Sequence, residues 1–243
     1  MSSRLKIWTQ GALSLLSAFM LAHPGGVWAE SVGSPSSILK KGKWSFGVGG
    51  GALAGRDVGT DVTAAVYQVG HFRGYGLTDW LSIYGKIGVA YLQVDDPSIK
   101  KKDGSTEHRF DANVLSSVQL KGKLFENRKR DFEWDGSLQY VDIRGRHRDK
   151  NTARWHEWQF ATSLAKGFGR LKPYLGVKYS MTSLPYKVKQ DGVLLGQGRY
   201  HMAAAGPFLG TDYSFGRYED VVLIIETSYL SGAEVDVALS YSF

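Results

Sequence analysis

Along much of the chain apolar and polar residues alternate one for one, as in strands with one oily and one polar face. The pattern is cleanest at the C-terminal end. There Val235, Val237, Leu239, Tyr241 and Phe243 share one face, and Glu234, Asp236, Ala238, Ser240 and Ser242 the other. Read in steps of two, the chain predicts ten strands. The first sets Trp44, Phe46, Val48 and Ala52 against Ser45, Gly47, Gly49 and Gly51. The second, over 62–72, is poorly patterned, with apolar residues on both faces. The third sets Leu81, Ile83, Ile87, Val89 and Tyr91 against Ser82, Tyr84, Lys86, Gly88 and Ala90. In the fourth, Phe110, Ala112, Val114, Val118 and Leu120 oppose Asp111, Asn113, Ser117, Gln119 and Lys121.

The fifth places Phe132, Trp134, Leu138 and Tyr140 opposite Glu133, Asp135, Ser137 and Gln139. In the sixth, Trp158, Phe160 and Leu164 oppose Glu157, Gln159 and Ser163. The seventh sets Leu175, Val177, Tyr179 and Met181 against Tyr174, Gly176, Lys178 and Ser180. An eighth, 199–213, contains Pro207, where a bulge is expected because proline cannot donate to a ladder. The ninth covers 221–229 and holds Glu226. Strands of 10 to 14 residues exceed the usual length of about 5 or 6 and suit a tilted membrane crossing.

Two kinds of connection alternate between these strands. Turn-like stretches at 74–79, 125–130, 167–170 and 216–220 are short, whereas those at 55–60, 95–107, 145–153 and 184–198 are mostly longer and polar. Short turns on one side and longer loops on the other match the asymmetry of membrane barrels. With the chain starting inside, Trp44, Trp80, Trp134, Tyr174 and Phe243 fall at inner strand ends. Tyr91, Tyr140, Trp155, Tyr200 and Tyr229 fall towards outer ends, forming two aromatic girdles.

The N-terminal segment changes the picture further. Arg4 and Lys6 precede a short apolar core, Gly11 to Ala22, and Val27-Trp28-Ala29 offers a small residue for cleavage. A signal peptide over 1–29 is expected, leaving a single domain over 30–243. Twelve apolar residues are too few for an anchor, which takes about 20. Losing Arg4 and Lys6 lowers the formal charge from +7 to +5. That basic excess is not gathered into a patch with stacking aromatics, so no nucleic-acid partner is expected. Cysteine is absent, which removes disulfides, thiol nucleophiles and thiolate metal sites.

A signal peptide together with a closing strand on Val235, Val237, Leu239, Tyr241 and terminal Phe243 resembles the small bacterial outer-membrane β-barrels, porin-like and opacity-like. The stretch 75–85, Tyr-Gly-Leu-Thr-Asp-Trp-Leu-Ser-Ile-Tyr-Gly, is similar to a turn-and-strand pattern of that group. The resemblance implies an all-β fold, a closed antiparallel transmembrane β-barrel. It also implies that the five alternating residues serve as an assembly signal read by the barrel assembly machinery. Ten strands are the expected number; eight and twelve stay open because strands two and eight are poorly patterned.

In such a barrel Lys86, Asp111, Lys121, Glu133, Asp135, Glu157, Lys178, Glu226, Glu234 and Asp236 face the lumen. A ten-stranded barrel is little wider than its own side chains, and buried charges must be paired. A plugged lumen with a structural or surface-interaction role is therefore the preferred reading. A narrow porin-like channel for small solutes or cations is the alternative, and a hydrolase on the outer rim comes third. For the rim, His108, His147, His156 and His201 lie near Asp95, Asp96 and Asp149 at the outer ends. The omptin proteases share only the strand number with this chain. No histidine spacing suits a metal, and no catalytic residues or cofactors are expected. Lys100, Lys101, Lys102, Arg144, Arg146 and Arg148 are expected to meet lipopolysaccharide phosphates. Outer-membrane lipid is the expected surrounding, and the sequence leaves the oligomeric state open.

Overall fold

Alternation of apolar and polar side chains leaves each strand one face for lipid-like surroundings and one for the interior, and closing the sheet removes its edges. A computed structural model describes residues 38–146, 151–191, 193–215 and 220–243, with the side chains of 111, 112 and 146 left out. Its strands are β1 (Trp44–Gly59), β2 (Val62–Gly76), β3 (Leu81–Asp95), β4 (Glu107–Asn127), β5 (Phe132–Arg146), β6 (Thr152–Lys166), β7 (Leu171–Gln190), β8 (Val193–Phe215), β9 (Val221–Tyr229) and β10 (Ala233–Ser242). Each pairs antiparallel with the next, and β10 pairs with β1, giving a closed ten-stranded barrel. The seam runs from Ser45–Ser242 to Ala54–Ala233. It is extended by Phe243, whose N–H donates to the Trp44 carbonyl at 2.9 Å.

The strands are unequal. β9 and β10 have 9 and 10 residues, whereas β4, β7 and β8 have 21, 20 and 23. At about 3.3 Å per residue the barrel rises much higher on the β3–β8 side than on the β9–β10 side. Two of the loops expected outside are therefore strand: β1 runs to Gly59, and β7 and β8 continue to Gln190 and from Val193 in a tight hairpin. Alternating side chains in both segments pack inward, so the backbone stays in the sheet. Pro207 brings no bulge; the β7–β8 register is continuous through Val177–Pro207 and shifts instead at Val188/Lys189. The proline ring points outward on β8, above Phe208, where pairing with β9 begins.

The interior is divided by height. The lower half carries most of the buried charges beside two small apolar clusters, around Phe72 and Tyr84 and around Tyr174 and Phe208, whereas the outer half is an apolar core that includes Leu53, Val66, Leu92, Phe110, Ile143, Trp155 and Leu184. This accounts for the weak pattern of β2. Val62, Ala64 and Val66 face inward into that core, so both faces of the strand are apolar. At the inner end, 38–43 lie against the ends of β2 and β3: Leu39 is buried, its N–H donates to Ser82 Oγ at 2.8 Å, and Gly42 N–H donates to the Gly76 carbonyl at 2.9 Å. Any side chain at Gly76 would overlap the Lys40 carbonyl there, so only glycine admits this close approach.

Candidate functional site

The inward face of each strand delivers its ionisable residues to one narrow column. Lys86, Lys121, Glu133, Asp135, Glu157, Lys178, Glu226, Glu234 and Asp236 are all buried within the barrel. The side chain of Asp111 lies outside the described residues. Two networks organise the column. In one, Lys178 Nζ donates to Glu234 Oε2 at 2.8 Å and lies 3.5 Å from Glu226 Oε1, over the Phe208 ring. Ser228 Oγ donates to Glu234 at 2.6 Å, and the Tyr174 hydroxyl to Glu226 at 3.1 Å. Such auxiliary donors satisfy carboxylate lone pairs that a lysine alone leaves bare.

The second network is built on a residue that strand alternation places on the wrong face. Up to Leu53 the inward positions of β1 are odd-numbered; beyond Gly55, Arg56 and Val58 point inward. Ala54 and Gly55 both face outward, and Gly55 has φ +61°. A bulge with a left-handed glycine inserts one extra residue and so exchanges the two faces of the strand after it. Arg56 thereby enters the lumen, 1 % exposed, where its Nη1 donates to Glu157 Oε1 at 2.7 Å and its Nη2 to Ser180 Oγ at 2.8 Å. Glu157 also accepts from Ser180 Oγ at 2.5 Å and from Trp155 Nε1 at 2.9 Å. The sequence reading put Arg56 in an external loop. The detectable signal was Ala54-Gly55 interrupting an otherwise regular alternation.

Between the apolar core and these networks a cavity of about 20 Å³ remains, with Leu53, Val141 and Trp155 on its walls and Gln139, Gln159 and Glu234 below. That is room for about one water molecule. Near the inner mouth Glu133 pairs with Lys172 at 3.2 Å and Lys123 at 3.7 Å. Asp135 and Asp236 are buried with neither carboxylate oxygen in a hydrogen bond.

The outer mouth is covered by the β3–β4 loop, 96–106. Asp96 is buried and accepts from the Ser98 N–H at 2.9 Å, Ser98 Oγ at 2.6 Å, the Tyr200 hydroxyl at 3.1 Å and the Tyr186 hydroxyl. Burial alone would raise its pKa, but these donors outweigh it and hold the carboxyl below its usual range. Ile99 inserts into the apolar core, and its carbonyl meets His108 Nε2 at 3.0 Å. Burial lowers the His108 pKa. Lys102 ties the loop across to Asp191 at 2.5 Å.

The aromatic and histidine expectations need correction here. Trp155, Tyr174 and Tyr200 are not girdle residues; they face inward and serve Glu157, Glu226 and Asp96 as hydrogen-bond donors. Trp44, Trp80, Trp134, Trp158 and Phe243 are exposed on the outer wall; Tyr140 faces outward half-buried, its ring 4.8 Å from that of Trp158. His108 is not a loop residue open to solvent but is buried under the covering loop. His156 sits on the outer wall, sharing a 2.9 Å hydrogen bond with Tyr140. His147, Arg148, Asp149 and the 1–29 segment lie outside the described residues, as does the Arg146 side chain. Lys100 and Lys102 are exposed on the covering loop, with Lys101 half-buried between them. Arg144 is elsewhere, on the outer wall of β5 beside Asp142 at 2.9 Å. Val235, Val237, Leu239, Tyr241 and Phe243 all face outward along the seam.

No protein-family model and no curated protein matches this sequence. Solved structures with a similar course of the chain include Ail, the attachment invasion locus protein of Yersinia pestis, at 8% identity and a TM-score of 0.41, covering 84% of this chain and 99% of that one. The outer membrane protein OprG from Pseudomonas aeruginosa is similar at 10% identity and a TM-score of 0.41, over 84% of this chain and 97% of its own. The outer membrane protease OmpT from Escherichia coli is similar at 11% identity and a TM-score of 0.41, over 83% and 94%. Likeness at these levels carries no information about activity.

Proposed function

We propose that this chain, exported and cut near Ala29, is an integral barrel of a bacterial outer membrane whose lumen is closed and whose role is structural or in surface interaction. The membrane setting is supported by the outer wall, where Ile87, Val89, Val114, Leu164, Leu175, Val177, Leu209 and Val235 are exposed. An apolar surface of that extent on a closed barrel is stable against lipid and costly in water. The observation that carries the closed-lumen reading is the pair of buried ion networks, Arg56–Glu157 and Lys178–Glu226–Glu234, with space for about one water beside them. Single-channel recording of the folded, inserted protein tests it: silence is expected, and stable, reproducible openings would reject a closed lumen.

The narrow-channel alternative draws support from one observation, the carboxyl oxygens of Asp135 and Asp236, which are buried without a hydrogen bond. Carboxylates lining a conducting path attract cations, so any conductance is expected to favour cations over anions. A rim hydrolase would need a histidine presented to substrate. Among the described rim histidines, His108 is buried and His156 is hydrogen-bonded to Tyr140 on the wall, while His201 is exposed on β8; retained hydrolysis after His108→Ala and His147→Ala would remove His108 and His147 from consideration.

A further inference from the structure

Four successive cross-strand pairs on the outer wall of β5 and β6 change character with height: Leu138–Phe160, Tyr140–Trp158, Asp142–His156 and Arg144–Arg154. The series passes from hydrocarbon-like through amphipathic aromatic to charged over about 20 Å of strand, which follows the polarity of a bilayer from core to headgroups. Its last pair sets two arginines directly opposite each other, an arrangement that repels unless an anion lies between them. Asp142 supplies one. It is buried beneath both side chains and accepts from Arg144 Nε at 2.9 Å and, bidentately, from Arg154 Nε at 2.9 Å and Nη2 at 3.1 Å.

One carboxylate between two guanidiniums leaves a net positive charge. Oδ2 is shared, so Arg144 Nε and Arg154 Nη2 are at most about 6 Å apart, held by a carboxylate that fixes both forks. The side chains are 67% and 43% exposed, so further N–H groups of both remain on the open side. Basic residues continue around the wall. Arg154 falls between the pairs Ala153–Tyr186 and His156–Ser183, beside Pro185, which pairs with Arg199; Lys187, paired with Thr152, stands one step above. The short β9 and β10 carry no basic residue at all, so the band occupies one side of the barrel.

We propose that Arg144 and Arg154, aligned by Asp142 and flanked by Arg199 and Lys187, form a lateral site for the phosphate of a phosphorylated glycolipid in the outer leaflet. The lipid's chains lie along Trp158, Tyr140 and Phe160 below. The site rests on the outer-membrane reading above. It differs from the covering-loop lysines, where Lys102 is already paired with Asp191. The aromatic ladder directly beneath the arginines selects a lipid headgroup over a soluble polyanion, because only a lipid satisfies both.

The test reconstitutes the full mature protein in neutral lipid vesicles doped with diphosphorylated lipid A, with its dephosphorylated form, or with neither. Lipid retained after mild detergent extraction is then counted by mass spectrometry. Phosphorylated lipid A is expected to be retained. Arg144→Gln with Arg154→Gln should lower its apparent affinity on the order of ten-fold or more. Because this pair leaves Asp142 buried with only His156 Nδ1 beside it, at 3.4 Å, a triple variant adding Asp142→Asn, and separately Arg199→Gln, keep the test open if the double variant misfolds. Both are expected to weaken retention. Equal retention of the dephosphorylated lipid, undiminished retention by the triple variant, or displacement by inorganic phosphate at millimolar concentration would overturn the site while leaving the barrel reading intact. Failure of the wild-type protein to insert into any vesicle would overturn the barrel reading, and the site with it.

Discussion

Arg56 and Glu157 show how much a single side chain can depend on its partner. Both are buried, and the pair is supported by Ser180 and Trp155. Removing one member leaves an uncompensated charge in a low-dielectric interior, which costs about 3–5 kcal/mol, whereas removing both with apolar replacements costs far less. Arg56→Met and Glu157→Gln are each expected to destabilise the folded barrel by that order, and Arg56→Met with Glu157→Leu by clearly less. Urea titration of the protein in detergent reads this directly. Equal losses for single and double variants would mean that the network is held by packing and not by charge. Gly55→Ala is expected to cost about 1–2 kcal/mol, because the left-handed backbone at φ +61° disfavours any Cβ and the Arg56 side chain depends on that bulge.

The β3–β4 loop is held over the mouth by groups that titrate. Lowered by burial, the His108 pKa sits below the ordinary 6.5, so the closed loop favours neutral imidazole. The loop therefore keeps its full stability above about pH 6.5 and loses it as pH falls from there towards the depressed value. Charges facing His108 are Lys101, Asp96 and Asp95. Asp96 adds nothing in that window, since its pKa is held below 3.8 and its contribution is lost only in stronger acid. Protection of the 97–106 amides, measured against their intrinsic exchange rates, is expected to fall between about pH 7.5 and pH 5, and His108→Gln should abolish the difference. Unchanged exchange in the wild type would exclude histidine as the sensitive group. Tyr186→Phe, which strips one donor from Asp96, should speed exchange in the same loop at every pH.

Closure of the whole barrel rests on one seam between the chain's first and last strands. Phe243 and Trp44 exchange two backbone hydrogen bonds, at 2.9 and 3.1 Å, beyond the last ladder pair. Deleting Phe243 removes these and the outward ring stacked on Tyr241 at 5.9 Å. A smaller folded fraction is expected, seen as loss of the fast-migrating unboiled band on a denaturing gel, with no change in the behaviour of the fraction that does fold.

The existence of the long strands and the inward face of Lys86, Lys121, Glu157, Lys178, Glu226, Glu234 and Asp236 follow from period-two alternation, which depends only on neighbouring positions along one strand. Even the failures of that pattern were informative. β2 reads poorly because Val62, Ala64 and Val66 look into an apolar core rather than a polar lumen. What alternation leaves undetermined is everything that requires strands to be placed beside one another. Alternation alone puts Trp155 in phase with Glu157 and Tyr174 in phase with Lys178 on the inward face, against the girdle reading; which carboxylates those two side chains meet depends on strand register and tilt. Whether Arg56 points in or out depends on one left-handed glycine. Which lysine meets which glutamate depends on residues such as Lys178 and Glu234, 56 positions apart, being brought to one height inside the barrel. Faces are a local property of the chain and can be read from it, whereas ion pairing, the division of the interior and the covering of the outer end by the β3–β4 loop arise only when ten registers are satisfied together.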